Sequence, residues 1–403
     1  MNIDALISQK AKSIQPSPIR RFFDLANAME GTVSLGIGEP DFVTPWHIRD
    51  AAMASLRAGE TAYTPNAGTP ALRQAVADYL YARFGLSYDP KTEIFITVGA
   101  SEAIDLAMRV LIDPGDEVLI PDPSYISYSP GALLAGGKSV LLPTYAEDGF
   151  ALRGDVLQKA LSPRTKALVL PYPNNPTGGI MTRPQLEELA AVLEGTNVPV
   201  IADEIYGELT YSGDHASLAQ IPGMKERTIL ISGFSKAFAM TGWRLGFVAA
   251  DRRFVSQMLK VHQYVIMCAS TMSQAAAAEA LNGLLRGEFD DVEKMRRAYD
   301  QRRRYIFDRL NGMGLKCFEP RGAFYIFPDI TCTGLTSEQF AESLLREERV
   351  AVVPGNAFGS RGEGFVRCSY AASLKNIEAA MDRMERFVSR KCRTQGEHEH
   401  EAI

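Results

Sequence analysis

The sequence predicts an α/β protein in which a large unit built on a mainly parallel seven-stranded sheet is followed by a smaller α/β unit. Three observations predict it. Short runs rich in Val, Ile and Leu alternate with helical patterns between about residues 66 and 250. After about residue 285 the texture changes to a long, highly charged helical pattern and then to further short apolar runs. The 403 residues also exceed what one ordinary core organises.

The strand runs, in order, are EIFITVG (93–99), DEVLIP (116–121), KSVLLP (138–143), TKALVLP (165–171), VPVIADE (198–204), RTILISG (227–233) and RLGFVAA (244–250). Each is short and closed by Gly, Pro or a charged residue, as strands buried on both faces are. Helical segments such as SEAIDLAMRVLI (101–112) and RPQLEELAAVLEG (183–195) separate them, which is the alternation of a parallel sheet wrapped by helices. FDDVEKMRRAYDQRRRYIFDRL (289–310) reads as one long helix with a solvated charged face. GAFYIFPDI (322–330), RVAVVPG (349–355) and GFVRCSYA (364–371) read as strands of the smaller unit, and LKNIEAAMDRMERFVSRK (374–391) as an amphipathic last helix. No repeat of roughly 20 to 50 residues is present, which removes solenoids and propellers. The expected organisation is an N-terminal arm over 1–30, a large domain over 45–285, a small domain from 31–44 and 286–395, and a disordered tail over 396–403.

Composition narrows the function classes. A hydrophobic fraction of 46% and a charged fraction of 23% place the chain among globular proteins. A net charge of −5 supplies no footprint for nucleic acid or an anionic membrane. Five scattered cysteines with no C-x-x-C pair fit reduced thiols rather than a disulfide framework or a zinc site. No stretch reaches the roughly 18 apolar residues of a membrane span, and the first residues lack an apolar signal core. The expectation is a cytoplasmic protein. The tail's His398 and His400 lack companion ligands, so no metal is expected.

In doubly wound sheets ligands bind beyond the carboxyl ends of the strands, so the residues after each run matter most. Gly99-Ala100-Ser101 follows the first run and opens a helix. It is an ordinary turn or a place where backbone N–H groups meet a phosphate. NNPTGG (174–179) marks a rigid turn, but one Asn satisfies a turn, which leaves Asn175 free to present its amide. Asp203, at the end of VPVIA, is either a helix cap or an anion facing a cationic ligand nitrogen, with the Tyr206 hydroxyl nearby. In SGFSKAFAMTGWRLGF (232–247) two cations, Lys236 and Arg244, stand in apolar company. Desolvation favours a neutral Lys236 amine, which imine chemistry with a carbonyl requires. Arg244 stays charged and calls for an anion such as phosphate, with Ser235 as a further donor. Arg367 stands in an alternating strand, as either a structural ion-pair member or a ligand-binding group. Phosphate donors, a carboxylate for a ring nitrogen, a tyrosine, an amide and a lysine together match the needs of pyridoxal phosphate.

With these residues in place, the chain resembles the class I/II aminotransferases of the fold-type-I pyridoxal-phosphate superfamily. The resemblance is collinear from about residue 16 to 390. It rests on LGIGEPDF (35–42), TAYTPNAGTPALR (61–73), TVGASEAI (97–104), NNPTG (174–178), ADEIYGELTY (202–211), GFSKAFAMTGWRLGF (233–247), GAFYIF (322–327) and VRCSYA (366–371). Within the superfamily it is most similar to bacterial aromatic and N-acetyl-diaminopimelate aminotransferases, through PNAG, LPYPNNPTG, LKVHQY (259–264) and GAFYIFPDI. The resemblance implies a fold-type-I transferase with pyridoxal 5'-phosphate as cofactor, amino acids and 2-oxo acids as substrates, and a homodimer with shared sites. It implies an imine-forming, proton-shuttling Lys236, Asp203 on the pyridine nitrogen, and Tyr206 and Asn175 on the ring oxygen. Tyr125 stacks on the ring, and Ala100, Ser101, Ser235 and Arg244 hold the phosphate, joined by Tyr63 reaching into the neighbouring subunit. Arg367 binds the substrate carboxylate, with the backbone at Gly38. Aspartate-specific members carry a lysine where this chain has Ser101, so Arg20 and Arg21 are the candidates for meeting a distal carboxylate. A β-eliminating C–S lyase and an aspartate/alanine-type transaminase use the same scaffold and are the alternatives. A non-catalytic effector domain is a third, disfavoured by the complete cofactor set and the lack of a DNA-binding segment.

Overall fold

A computed structural model describes residues 1–16 and 18–401. In chain order its strands are β1 (Val33–Ser34), β2 (Ile94–Thr97), β3 (Glu117–Asp122), β4 (Lys138–Pro143), β5 (Thr165–Leu170) and β6 (Val200–Asp203). They continue with β7 (Thr228–Gly233), β8 (Gly246–Ala249), β9 (Tyr325–Ile326), β10 (Val350–Ala351), β11 (Val353–Pro354) and β12 (Val366–Ser369).

The seven strands β2 to β8 form one sheet in the order β2-β8-β7-β6-β5-β3-β4. Only β8 runs antiparallel, to β2 and to β7, so the sheet is mainly parallel, and each of the seven apolar runs contributes one strand. All four residues of β2, β6 and β8 are buried, which explains why these runs are apolar without alternation. Apolar clusters cover both faces. Val169, Ile201 and Ile231 face the helix Gly99–Leu111, while Leu168, Leu170 and Val200 face the helix Arg183–Leu193.

The smaller unit is built around an antiparallel set, β11-β12-β9. A parallel pair joins β1 to β10, with Val33 opposite Val350. That pairing carries the segment after β1 across the molecule. Its core, which includes Phe324, Phe340 and Phe387, is continuous with Tyr206 and Leu209 of the larger unit. The two units thus share apolar contacts at the place where the sheet's carboxyl ends emerge.

Two expected boundaries differ in the structure. The arm expected over 1–30 contains the helix Pro18–Asn27, whose Phe22 and Ala26 are buried in the smaller unit. Burial of those side chains makes this helix part of the fold. The last helix runs Leu374–Glu401 rather than ending at 391, and residues 402 and 403 of the expected tail lie outside the described residues. Among the described residues, no helix is long and apolar enough to cross a membrane, and no group of His, Cys, Asp and Glu is arranged to hold a metal.

Candidate active site

The carboxyl ends of β2, β3, β5, β6 and β7 open on one cavity of about 740 Å³, closed from the other side by Gly38, Tyr325 and Arg367. Of the residues singled out from sequence, it gathers Gly38, Ala100, Ser101, Tyr125, Asn175, Asp203, Tyr206, Ser235, Lys236, Arg244 and Arg367 on its walls, together with Arg20.

One end of the cavity is built for an anion. Gly99 starts the helix Gly99–Leu111, and its N-cap, Val98, has no side-chain cap. The first N–H groups, at the positive end of the helix, are therefore left without side-chain acceptors from that cap. Gly99 has φ +76°, and a Cβ there would lie 2.7 Å from Arg244 Nη2, so the absent side chain is what lets the guanidinium come down onto the turn. Arg244 itself sits in the left-handed region at φ 51°, with Nη1 donating to the Thr241 carbonyl at 3.0 Å. The apolar context of Arg244 suggests an enclosed cation, but it is exposed at the cavity wall. Its neighbours Leu245 and Phe247 turn into the core instead. Gly99→Ala is expected to cost about 1–2 kcal/mol, because it forces a side chain into the left-handed region, and to displace Arg244. Urea unfolding of the variant and its affinity for inorganic phosphate check both parts.

Lys236 follows β7 and donates from Nζ to the Gly38 carbonyl at 2.7 Å. Burial pushes its amine down from 10.5 to about 8, against the upward pull of Glu39 and with smaller downward pushes from Arg367 and Arg244. In the unfolded chain the amine keeps its ordinary value. Below pH 8 the folded protein must therefore hold an ammonium that burial disfavours, and this cost fades as pH rises from about 8 toward 10.5. Acylation of Lys236 by an amine reagent, read by mass spectrometry, is expected to accelerate about tenfold per pH unit up to about 8 and then level off.

Asp203 closes β6 and is buried. Burial raises its carboxyl above the ordinary range, opposed by the hydrogen bond from Tyr128, whose hydroxyl donates to Oδ2 at 2.8 Å. It has no ion pair among the described residues, so a cationic ligand atom is what this site lacks. Tyr206, one turn on, shares a 2.9 Å hydroxyl–hydroxyl bond with Tyr325. Of the two adjacent amides after β5, Asn174 serves the turn, its Oδ1 accepting from Thr177 N at 3.3 Å and from Thr177 Oγ1 at 2.9 Å. Asn175 is left for the cavity. Its Oδ1 accepts from Arg367 Nη1 at 2.9 Å, and its NH₂ points to no partner among the described residues.

Arg367, in the middle of β12, is only 3% exposed. Nη2 donates to the Gly36 carbonyl at 2.6 Å, Nε has no partner among the described residues, and the guanidinium lies over the rings of Tyr325 and Phe358 at 4.5 and 4.9 Å. No carboxylate pairs with it among the described residues. The ion-pair reading of this arginine is thereby set aside.

Two expected residues are elsewhere. Tyr63 is 82% exposed and outside the cavity of its own chain. Arg21 turns away and pairs with Glu342 at 2.5 Å, because the helix that places Arg20 on the cavity wall puts the next residue on another side. Tyr128, Tyr325 and Glu39 were missed from the sequence as site residues. Tyr325 stood in a quoted motif, GAFYIF, and Glu39 in LGIGEPDF. Tyr128 carried no signal beyond a second tyrosine after Tyr125.

The arrangement offers an anion cup at one end and an amine able to be neutral in the middle. Beside the amine stand a carboxylate awaiting a cation and a buried guanidinium awaiting an anion. A phosphate-bearing, carbonyl-derived cationic ring and a carboxylate substrate fit these four demands together. The family model for aminotransferase class I and II matches residues 30–384. The chain is 51% identical to a putative aminotransferase, YugH, of Bacillus subtilis, over 95% of this chain and 98% of that one. It is 47% identical to an aspartate aminotransferase of Pyrococcus abyssi, over 96% and 99%. The crystal structure of an aromatic aminotransferase from Pyrococcus horikoshii superposes with a TM-score of 0.87 at 47% identity, covering 92% of this chain and 99% of that one. The chain therefore belongs to the class I and II aminotransferases, enzymes that depend on pyridoxal 5'-phosphate.

Proposed function

We propose that the protein moves the amino group of an L-amino acid to 2-oxoglutarate in two ping-pong half-reactions, with an aromatic amino acid or N-acetyl-LL-2,6-diaminopimelate favoured as donor. The observation that carries this reading is the pairing of the Lys236 amine, lowered to about 8, with a buried Arg367 that has no anion among the described residues, in the same cavity. When bound, the cofactor supplies an electron sink that labilises the bonds of the substrate α-carbon. Lys236 is the residue for attaching it and, once freed, for carrying the proton at the α-carbon. Asp203, kept in place by Tyr128, answers the ring nitrogen. Tyr206 and the free amide of Asn175 answer the ring oxygen, and Tyr125 the ring face. Ala100, Ser101, Ser235 and Arg244 answer the phosphate. Arg367 answers the substrate carboxylate with a two-pronged, charge-assisted contact, beside the Gly38 backbone, where only glycine fits because a Cβ would lie 2.7 Å from the Tyr325 hydroxyl.

The donor preference is supported by the rest of the cavity wall. Ile19, Ile104 and Ile126 line it together with Tyr125, and position 101 is a serine rather than a cation. Such a wall gains from burying a long or aromatic side chain. A homodimer is supported by an exposed apolar patch in which Tyr63 and Tyr264 are 82% and 86% exposed. Asn66 and Gln263 hydrogen-bond between the two segments, and Val265 and Met267 extend the patch. In that arrangement Tyr63 of the partner subunit completes the phosphate site. A cytoplasmic setting fits cysteines that form no disulfide among the described residues. A panel of amino donors with 2-oxoglutarate, including Phe, Tyr, Asp, Ala and N-acetyl-LL-diaminopimelate, tests the reading. Phe, Tyr or the acetylated donor should give the highest kcat/KM, and a decisive preference for Asp or Ala would refute it.

A further inference from the structure

His262 lies in the LKVHQY segment, on the helix Arg252–Val265, and none of the roles above uses it. Its side chain is fully buried, and Nδ1 makes a 2.7 Å bond to Glu102 Oε1. Nε2 has no partner among the described residues, so the bond to Glu102 is the ring's polar contact. An edge of the imidazole packs on Phe95 of β2, 5.8 Å between centroids. Glu102, itself 9% exposed, uses its other oxygen, Oε2, to accept from Val98 N at 2.5 Å. One carboxylate thus ties the residue before the Gly99–Leu111 helix to a second helix.

Glu102 follows Ser101 in the first turn of that helix. A carboxylate there is favoured by the helix dipole, but it competes for that same positive end with the anion the cup is shaped for. Buried beside a phosphate, its charge works against binding unless something offsets it. Val98 N–H and the imidazole are the groups that reach it. The imidazole brings a donor, whose hydrogen bond to Oε1 draws off part of the carboxylate charge.

We propose that His262 is a positioning residue for the cofactor phosphate. Through Glu102 it fixes the Val98–Gly99 turn and offsets the carboxylate charge next to the anion. This rests on the phosphate reading of the cup given under the proposed function.

The test compares binding of pyridoxal phosphate and of pyridoxal to the cofactor-free full chain, followed by the absorbance of the imine, with inorganic phosphate as competitor. In His262→Leu the preference for the phosphorylated form is expected to fall roughly tenfold, the size of one lost hydrogen bond to a charged group. Competition by inorganic phosphate weakens in parallel, and pyridoxal affinity stays unchanged. Adding Glu102→Gln, which keeps an acceptor for Val98 N–H and removes the charge, restores the preference. Glu102→Gln alone, the safer variant for folding, holds phosphate at least as tightly as the parent. Equal weakening for both vitamers, an unchanged preference in His262→Leu, or no rescue by the second substitution overturns the inference. So does looser phosphate binding in Glu102→Gln alone. If the parent chain itself shows no preference for the phosphorylated form, the phosphate reading of the cup fails first.

Discussion

Lys236→Ala is expected to abolish the imine absorbance of the purified protein and to lower transamination on the order of 10⁴-fold or more. That is the upper end of what a positioned general acid–base contributes, and the covalent attachment is lost with it. The fold should survive. The amine is a group that burial disfavours in its charged form, and its hydrogen-bond partner among the described residues is the Gly38 carbonyl. Circular dichroism should therefore match the parent, and urea unfolding at neutral pH should show no loss of stability, since the substitution removes the cost of the buried ammonium. Substantial residual turnover would overturn the assignment of Lys236, whatever the absorbance shows.

Arg367→Ala is the second large effect. A buried guanidinium meeting a carboxylate is a contact whose truncation costs about 2–5 kcal/mol, so kcat/KM should fall on the order of 10²- to 10³-fold. Every donor carries the same α-carboxylate, so the loss should be of similar size for Phe, Tyr and Asp. Cofactor absorbance should persist, because the cup around Gly99 and Arg244 is on the opposite unit. A loss confined to dicarboxylates would instead move Arg367 to side-chain recognition. Arg367→Lys keeps a charge but loses the two-pronged geometry, and an intermediate loss is expected from steady-state kinetics.

Much of this was legible in the residues, for physical reasons that differ from place to place. The inner strands of the central sheet show as solid apolar runs because both of its faces are covered there, whereas the edge strand β4 is largely open, with Leu141 46% exposed. The residues following those runs are therefore legible as ligand-facing from the sequence. By contrast, β1 and β10 are two residues each, too short for any period to show. The pairing that brings Gly36 under Arg367 was invisible for that reason. Arg20 and Arg21 read alike as neighbours, and only the helix phase, set by Phe22 burying itself, separates the cavity-lining one from the one paired with Glu342. Asn174 and Asn175 were likewise distinguished only by which amide the Thr177 turn consumes. Tyr128 could not be assigned, since its bond to Asp203 joins residues 75 positions apart and leaves no mark on the local pattern.

The buried guanidinium of Arg367 has a consequence beyond recognition. Its burial with four dipolar or aromatic neighbours and no anion among the described residues leaves a desolvation cost standing in the folded chain. A carboxylate ligand that relieves that cost binds the native state and not the unfolded one, and so adds to resistance against unfolding by mass action. Substrate acids are in this sense part of the protein's folding equilibrium. The arginine on β12 weakens the empty protein, and the same imbalance is what a carboxylate ligand would relieve by binding there.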